Sequence, residues 1–528
     1  ELAKTGGGRV ETAMQPATVI VQSREETGVE WGVEGDLGII ASQATVTAPL
    51  GRRAALFLSG RRSYTGWLVS LLSSKGNDDL HYRLQDYDAT LAWQLDNRNK
   101  LIVSSHYGDD HTQIAYNDGL LNGRLRWYTS VSSATLRSDL SPTAHMENTF
   151  YYSHLDTRLI AATTGIDAEA PSAIGDLGYK HSTSWQIGRL RLAAGLQYAY
   201  RRILPQHIAS DYGGIAAGER GPRYDTHELA PFIAVTIPLA HNVTCDAALR
   251  YGFYFLQGSD RIASYRHQAP QPSLSFDWQI TRSSRFKASY NYTTQYIHKV
   301  PSSNISFATD FWMAPTRHTP PQHTHHTALG YFAEAADGQL NFSAEAYYQR
   351  MYRVLEYNAP LTGMVNNRYE LEQYIHSGDG EAYGMEFMVS YAGRKFNGWL
   401  SYTLGKSVRK FAELNDGKPF PASLDRRHDL SLSLSYTPGK HWELSTVFVY
   451  ASGGAYTATR DLYIAGGSFI RGHGSYSSRG AAASTSPSST STHIATRSTS
   501  RGRFSATKRR ANIRFTRAGT TCTISSPP

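Results

Sequence analysis

Cysteine is nearly absent from this chain of 528 residues: only Cys245 and Cys522 occur. That is too few for a disulfide framework or a cysteine metal set. Long hydrophobic runs are absent as well. No stretch approaches the roughly eighteen consecutive apolar residues that a membrane helix needs. A helical span is therefore excluded. A membrane β-barrel is not, because its strands carry only about half the apolar signal. There is no HExxH, no paired CxxC and no serine nucleophile elbow. Neither enzymatic activity nor a cofactor is expected.

Acidic residues are missing from one region. Residues 471–528 hold ten Lys/Arg and no Asp or Glu, so the formal charge of +9 belongs to this tail. The preceding 470 residues balance 43 basic against 44 acidic side chains. They show no basic patch or recognition motif, so nucleic acid is not an expected partner. A charged-then-apolar leader is also lacking at "ELAKTGGGRVET". That start is read as a truncation.

Tyrosine (34) and glycine (45) are abundant, which suits strands and turns. "DLSLSLSYTPGKHWELSTVFVY", Asp429 to Tyr450, alternates on both sides of Pro438-Gly439. Successive side chains of a strand point to opposite faces, so this is a hairpin. One face carries Leu430, Leu432, Leu434 and Tyr436, then Trp442, Leu444, Thr446, Phe448 and Tyr450. The other is largely Ser and Asp. Each arm has about ten residues, the length a tilted strand needs to cross a bilayer. Aromatics stand at the ends of the apolar face, where a membrane girdle would place them.

Similar pairs recur, with turns expected near Asp36 to Gly38, Pro49 to Arg52, Asp96 to Asn99, Gly188-Arg189, Ala240-His241, Arg282 to Ser284, Ala336 to Gly338 and Ala392 to Arg394. Long polar connections are expected over Thr65–His81, Ile203–Asp225, Gly258–Gln271, Pro301–Pro321, Tyr357–Gly380 and Phe411–Leu424. Short turns at one end and long loops at the other describe an outer-membrane barrel. About nineteen strands are expected between Thr27 and Ala451, with the Leu/Trp/Phe face toward lipid and the Ser/Asp face toward a wet lumen.

The stretches "EWGVEGDLGIIASQATVTAPL", "YRLQDYDATLAWQLDNRNKLIVSSHYGDD" and "YGMEFMVSYAGRKFNGWLSYTLGKSVRKFAELNDGKPFPASLDRRHDLSLSLSY" resemble the barrel of TonB-dependent outer-membrane receptors. The resemblance covers most of Thr27 to Thr457. It implies an all-β fold, a transmembrane antiparallel β-barrel of the 22-strand type around an N-terminal plug. It also implies a bacterial outer-membrane location, lipid around the barrel, TonB bound through the plug, and a scarce small nutrient as ligand: an iron chelate, a vitamin or an oligosaccharide. On this reading residues 1–26 are a remnant of the plug, most of which is missing, and residues 27–470 are the barrel. Residues 471–528 are a disordered Ser/Thr/Arg-rich tail, read as an out-of-frame translation of the last strands. Two rivals stay open: a passive porin, and a barrel hydrolase, for which no convergent catalytic set is visible.

Candidate site residues are few. Tyr212, Phe311, Trp312 and Tyr374 are loop aromatics able to stack a sugar or an iron chelate, or simply to anchor loops. His318, His323, His325 and His326 form the one histidine cluster. His323 and His325 share a strand face and would hold a metal with one more ligand. A polar strand entrance at the rim is the plainer reading, and no metal is expected. Asp425, His428 and Asp429 lie close in sequence, but His428 and Asp429 point to opposite faces.

Overall fold

The computed structural model describes residues 24–66, 79–116, 121–163, 166–205, 209–212, 215–217, 221–259, 261–300, 311–357, 371–423, 425–439 and 442–454, with short strand pieces at 2–3, 18–19, 461–465, 468–472 and 493–496. Nineteen successive strands build one antiparallel sheet. They are β1 Gly32–Leu37, β2 Ala41–Pro49, β3 Ala54–Ser63, β4 Asp79–Gln94, β5 Asn99–Tyr116, β6 Leu121–Ser141, β7 Ala144–Thr163, β8 Ile166–Ile187, β9 Leu190–Leu204, β10 Tyr224–Ala240, β11 Val243–Leu256, β12 Tyr265–Thr281, β13 Ser284–Gln295, β14 Gln322–Ala335, β15 Leu340–Tyr357, β16 Ile375–Ala392, β17 Phe396–Lys410, β18 His428–Tyr436 and β19 Trp442–Ala451. Each pairs with the next in sequence. Among the described residues no helix is long and apolar enough to cross a membrane, which says nothing about strands.

Turn chemistry sets the hairpins. The β8–β9 connection is two residues, and Gly188, the first, takes φ 61°. A two-residue hairpin loop favours positive φ there, and glycine supplies it without steric cost. Between β14 and β15, Ala336, Asp337 and Gly338 take φ 53°, 53° and 80° in succession. The remaining expected turns, through Pro438-Gly439, also join successive strands, except that Asp36 and Leu37 still belong to β1 and the first bend follows them at 38–40.

The sheet is inside out compared with a soluble sandwich. Along β10, Tyr224, Thr226, Glu228, Ala230 and Phe232 are buried, while Leu229 among them and Ile233 just after them are exposed. Along β12, Gln271 and Ser275 are buried while Leu274, Phe276 and Trp278 are exposed. Exposed rows of large apolar residues continue from strand to strand through the register, as in Leu329 (β14), Met385 (β16) and Leu404 (β17) about Ala346. A contiguous apolar exterior with polar groups inside fits hydrocarbon outside and a wet interior. A barrel sheet also satisfies its backbone groups in lipid, which an open irregular chain does not.

In the β18–β19 hairpin, Leu432 stands opposite Phe448, and Leu430 opposite Tyr450. The expected apolar face is thus one surface. The opposite face is less polar than expected, since Val447 and Val449 stand across from Ser433 and Ser431.

Two expected connections are corrected. The Gly258–Gln271 loop is shorter, because the β11–β12 ladder continues to Leu256 and Tyr265. The Tyr357–Gly380 loop ends earlier, because Tyr357 pairs with Ile375. Beyond the bilayer both faces are polar, so alternation fades while pairing continues. The separation of short turns from long loops is also incomplete. The bend at 38–40 and the brief connections 117–120 and 164–165 lie at the long-loop end. There β5 to β8 run on as tall hairpins of 18 to 22 residues, about twice the bilayer-crossing length.

Of the expected tail, the described residues include Arg471-Gly472, which end the strand piece Ser468–Gly472, and His493–Thr496, which pairs with Trp442–Ser445. The rest lies outside the described residues, as do most of 1–23.

Candidate functional site in the barrel mouth

The inner face of β7 to β11 carries a chain of ion pairs. Arg201 (β9) donates from Nε to Asp176 (β8) at 2.8 Å and from a terminal nitrogen to Glu228 (β10) at 2.6 Å. Arg250 (β11) donates to the other Glu228 oxygen at 3.2 Å and to Gln197 Oε1 at 2.5 Å. Tyr151 (β7) donates to Asp176 at 3.2 Å. The strands bring these together because each residue sits on the inward parity of its strand. Arg201 stands directly opposite Asp176, and Glu228 lies one strand over. Two arginines share two carboxylates, so each buried charge has an opposite neighbour, the condition for tolerating it.

Above this network a loop folds inward. His298–Val300 pairs with Phe311–Met313 as a small hairpin between β13 and β14. Val300 and Met313 are fully buried with Leu355 of β15. Ala314 joins a cluster of Ile203, Tyr224, Tyr254, Leu256, Ile262 and Tyr296. Tyr254 and Tyr296 stack with centroids 5.3 Å apart, and the Tyr254 hydroxyl donates to the Pro315 carbonyl at 2.9 Å. His298 is 3% exposed. Burial pushes its imidazole down to about 4, against a smaller upward pull from the Thr319 carbonyl, 3.3 Å from Nε2.

Beside the loop, several inward polar atoms have no hydrogen-bond partner among the described residues: Arg250 Nε, both side-chain polar atoms of Gln271, Ser289 Oγ and His326 Nδ1. Arg250 and Gln271 are directly opposed across β11 and β12. Buried polar groups are normally paired with protein or ordered water. This wall therefore presents unused hydrogen-bonding capacity.

The residues singled out from sequence are placed as follows. Trp312 is partly buried and packs against the Tyr254 cluster. Tyr374 ends the 3-10 turn Leu371–Tyr374 and is half-buried. Phe311 pairs with Val300, and Tyr212 pairs with Ile166 and Ile215, through their backbones; their side chains lie outside the described residues. These four do not form one constellation. The histidines also separate. His325 shares a hydrogen bond with the Tyr290 hydroxyl at 2.8 Å on the outer face, and His323 stacks on Tyr352 there. His326 is buried on the inner face. His428 pairs outward with Tyr402, while Asp429, on the other face, lies 3.7 Å from Arg426. Among the described residues no group of three or more His, Cys, Asp or Glu is arranged to hold a metal. Sequence reading missed Asp176, Arg201, Glu228 and Arg250. Their one sequence signal is a charge on the small or polar parity of a strand.

No curated protein is detectably similar in sequence. Solved structures are similar in fold. The alcaligin outer-membrane receptor FauA from Bordetella pertussis superposes with a TM-score of 0.55 at 16% identity, covering 81% of this chain and 69% of its own. The copper transporter OprC gives 0.60 at 12%, covering 81% and 68%. The ferric-catecholate import receptor Fiu from E. coli K12 gives 0.59 at 12%, covering 82% and 72%. The family described as TonB dependent receptor-like, beta-barrel matches residues 40–498. It is a family of outer-membrane receptors and transporters, not of enzymes. With that match spanning most of its length, this chain belongs to the TonB-dependent receptor β-barrel family.

Proposed function

We propose that this barrel takes up a scarce small nutrient across the outer membrane, with energy delivered by TonB through a plug segment. An iron chelate is the leading ligand class, ahead of a vitamin or an oligosaccharide. The observation that carries the reading is the inward loop. Val300, Met313 and Ala314 are fully buried in the mouth, beside a wall of unpartnered polar atoms. A narrowed mouth with a polar lining suits selective capture better than bulk flow. The neighbours point the same way: their names describe an alcaligin receptor, a ferric-catecholate import receptor and a copper transporter. Lipid would surround the apolar exterior. Tyr212, Phe311, Trp312 and Tyr374 are proposed as mouth aromatics available to a ligand.

The segment before β1 supports a plug. Glu25 reaches Arg137, and Val29 packs on Ala55, Phe57 and Ala92, all on the inner face. A chain entering the lumen from its short-turn end has no role in a passive porin.

Uptake by cells expressing the gene tests the proposal. Accumulation of a radiolabelled iron chelate should stop when the proton gradient is collapsed. Steady conductance in a planar bilayer, with uptake indifferent to the gradient, would instead establish a porin.

A further inference from the structure

One sector of the outer wall is built unlike the rest. Side chains two apart on a strand share a face, so register fixes the outward row of each strand. On β10 that row reads Leu229, Pro231, Ile233, Val235 and Ile237 across the apolar band. On β4 to β6 the outward residues at that depth are small. Ala89, Ser105 and Ser132 stand in one register line, with Ser130 and Ala134 on either side of Ser132. The Ser105 and Ser132 hydroxyls share a hydrogen bond at 3.0 Å. The next two strands carry large residues in the same lines. Tyr152 stands opposite Ser132 and Phe150 opposite Ala134, and Leu177 and Tyr179 of β8 follow them. Phe150, Leu177 and Tyr152 are 62%, 55% and 47% exposed. A trough over β4 to β6 thus adjoins a ridge over β7 and β8.

Polar groups also sit where hydrocarbon is expected. On β8, His181 lies midway between outward Leu177 and Trp185. Asn148 (β7) stands directly opposite His181. Its Oδ1 accepts from the Tyr179 hydroxyl at 2.7 Å and from His181 Nδ1 at 2.8 Å, and the Thr183 hydroxyl donates to the other ring nitrogen at 3.2 Å. The Asn148 amide nitrogen has no partner among the described residues. Lipid tails offer it none, and an unmet amide in hydrocarbon is costly. In a bilayer no hydrophobic effect drives one protein surface onto another. Contact faces there are marked instead by small residues, which allow close approach, and by polar side chains, which bond across. This sector has both.

We infer that a second copy of this chain covers the sector, in a twofold dimer whose axis runs along the membrane normal between β6 and β7. A twofold contact must be self-complementary. Trough and ridge adjoin at that line, so a half-turn seats each ridge in the other copy's trough and keeps its depth. Five strands about 4.8 Å apart make the sector about 19 Å wide, and a band about 25 Å tall then offers roughly 500 Å² per copy. The total of about 1,000 Å² reaches the size expected of a specific interface. Above the band Arg126 and Arg158 face outward on the same strands, directly opposite each other. Two copies would bring these cations together, so the contact is confined to hydrocarbon depth. The inference rests on the outer-membrane reading.

The test uses the full chain, dye-labelled at its N-terminus and refolded into phosphatidylcholine bilayers, with subunits counted by photobleaching. Membrane insertion is first scored by protease protection. Wild type should bleach mainly in two steps. Ser105→Leu with Ser132→Leu fills the trough with side chains that lipid accepts, so the barrel still inserts. Its dimer dissociation constant should rise at least about tenfold. Ala247→Leu with Ala344→Leu makes a similar change on the outward rows of β11 and β15 and should leave the constant unchanged. Copies carrying Ser132→Cys, mixed with copies carrying Phe150→Cys, should cross-link to each other once Cys245→Ser and Cys522→Ser have removed the native thiols. Copies carrying Leu249→Cys and Leu274→Cys, on the far wall, should not. Single-step bleaching of wild type, equal dissociation constants for the two leucine variants, or equal cross-linking at the far wall would overturn the inference. Failure to insert would overturn the membrane reading itself, and shows before association is measured.

Discussion

Glu25 forms an ion pair with Arg137 on the inner face of β6, across 112 residues of sequence. Arg137 also donates to Glu147 at 2.6 Å, so one guanidinium ties the segment before β1 to the β6–β7 hairpin. Arg137→Ala should release that segment and leave the sheet in place. A half-buried charged contact of this kind contributes about 1–2 kcal/mol. Amide exchange over residues 24–31 should accelerate roughly tenfold, while exchange in β10 to β12 stays unchanged. Unchanged exchange at 24–31 would mean the contact does not hold the segment.

The outer face has a steep cost for charge. Leu432 shares the exposed row with Phe448, and Ser433 sits on the other face. Leu432→Arg should destabilise the folded barrel in vesicles by about 2–4 kcal/mol, the cost of a mid-bilayer arginine on a lipid face. Ser433→Arg should cost far less. Urea titration in vesicles gives the comparison, and equal losses would mean the faces are misassigned.

Glu228 anchors both Arg201 and Arg250. Glu228→Ala leaves Arg250 without a carboxylate partner among the described residues, and breaking a buried pair costs about 3–5 kcal/mol. Adding Arg250→Met should recover part of that loss. A double variant as unstable as the sum of the two single changes would show that the pair is not coupled.

The inserted loop should respond to acid. His298 is held neutral, with its folded value about 4 against an ordinary 6.5. The unfolded imidazole gains a proton as pH falls through 6.5, and the buried one resists until about 4. Loop docking is therefore fully stabilised above pH 6.5 and weakens as pH drops toward 4, by about 3 kcal/mol at most. Amide exchange at Phe311–Met313, corrected for intrinsic pH dependence, should show this opening in wild type. His298→Asn should flatten it. A pH-independent wild-type loop would contradict the assignment.

Much of the fold was legible because a tight turn is local chemistry. Gly188-Arg189, Ala336 to Gly338 and Pro438-Gly439 announce themselves in two or three residues, and strict alternation beside them leaves one pairing that keeps apolar residues on one face. The β6–β7 hairpin was harder to read. Its outward row runs Tyr128, Ser130, Ser132, Ala134, with too little contrast to the inward Thr129, Val131 and Ser133 to show a period. The mouth was not legible at all. Arg201 finds Glu228 because strands slide into one register, and register is a property of the whole sheet. The loop aromatics were visible as residue types, yet Trp312 is packed into a cluster assembled by distant strands.

The strands β5 to β8 end unevenly with the rest of the wall. Twenty residues at about 3.3 Å each, tilted as barrel strands are, climb roughly 20–25 Å beyond the apolar band. They form a parapet on one side of the opening. A bulky particle descending on the cell, such as a phage or an antibody, meets the parapet before it meets the mouth.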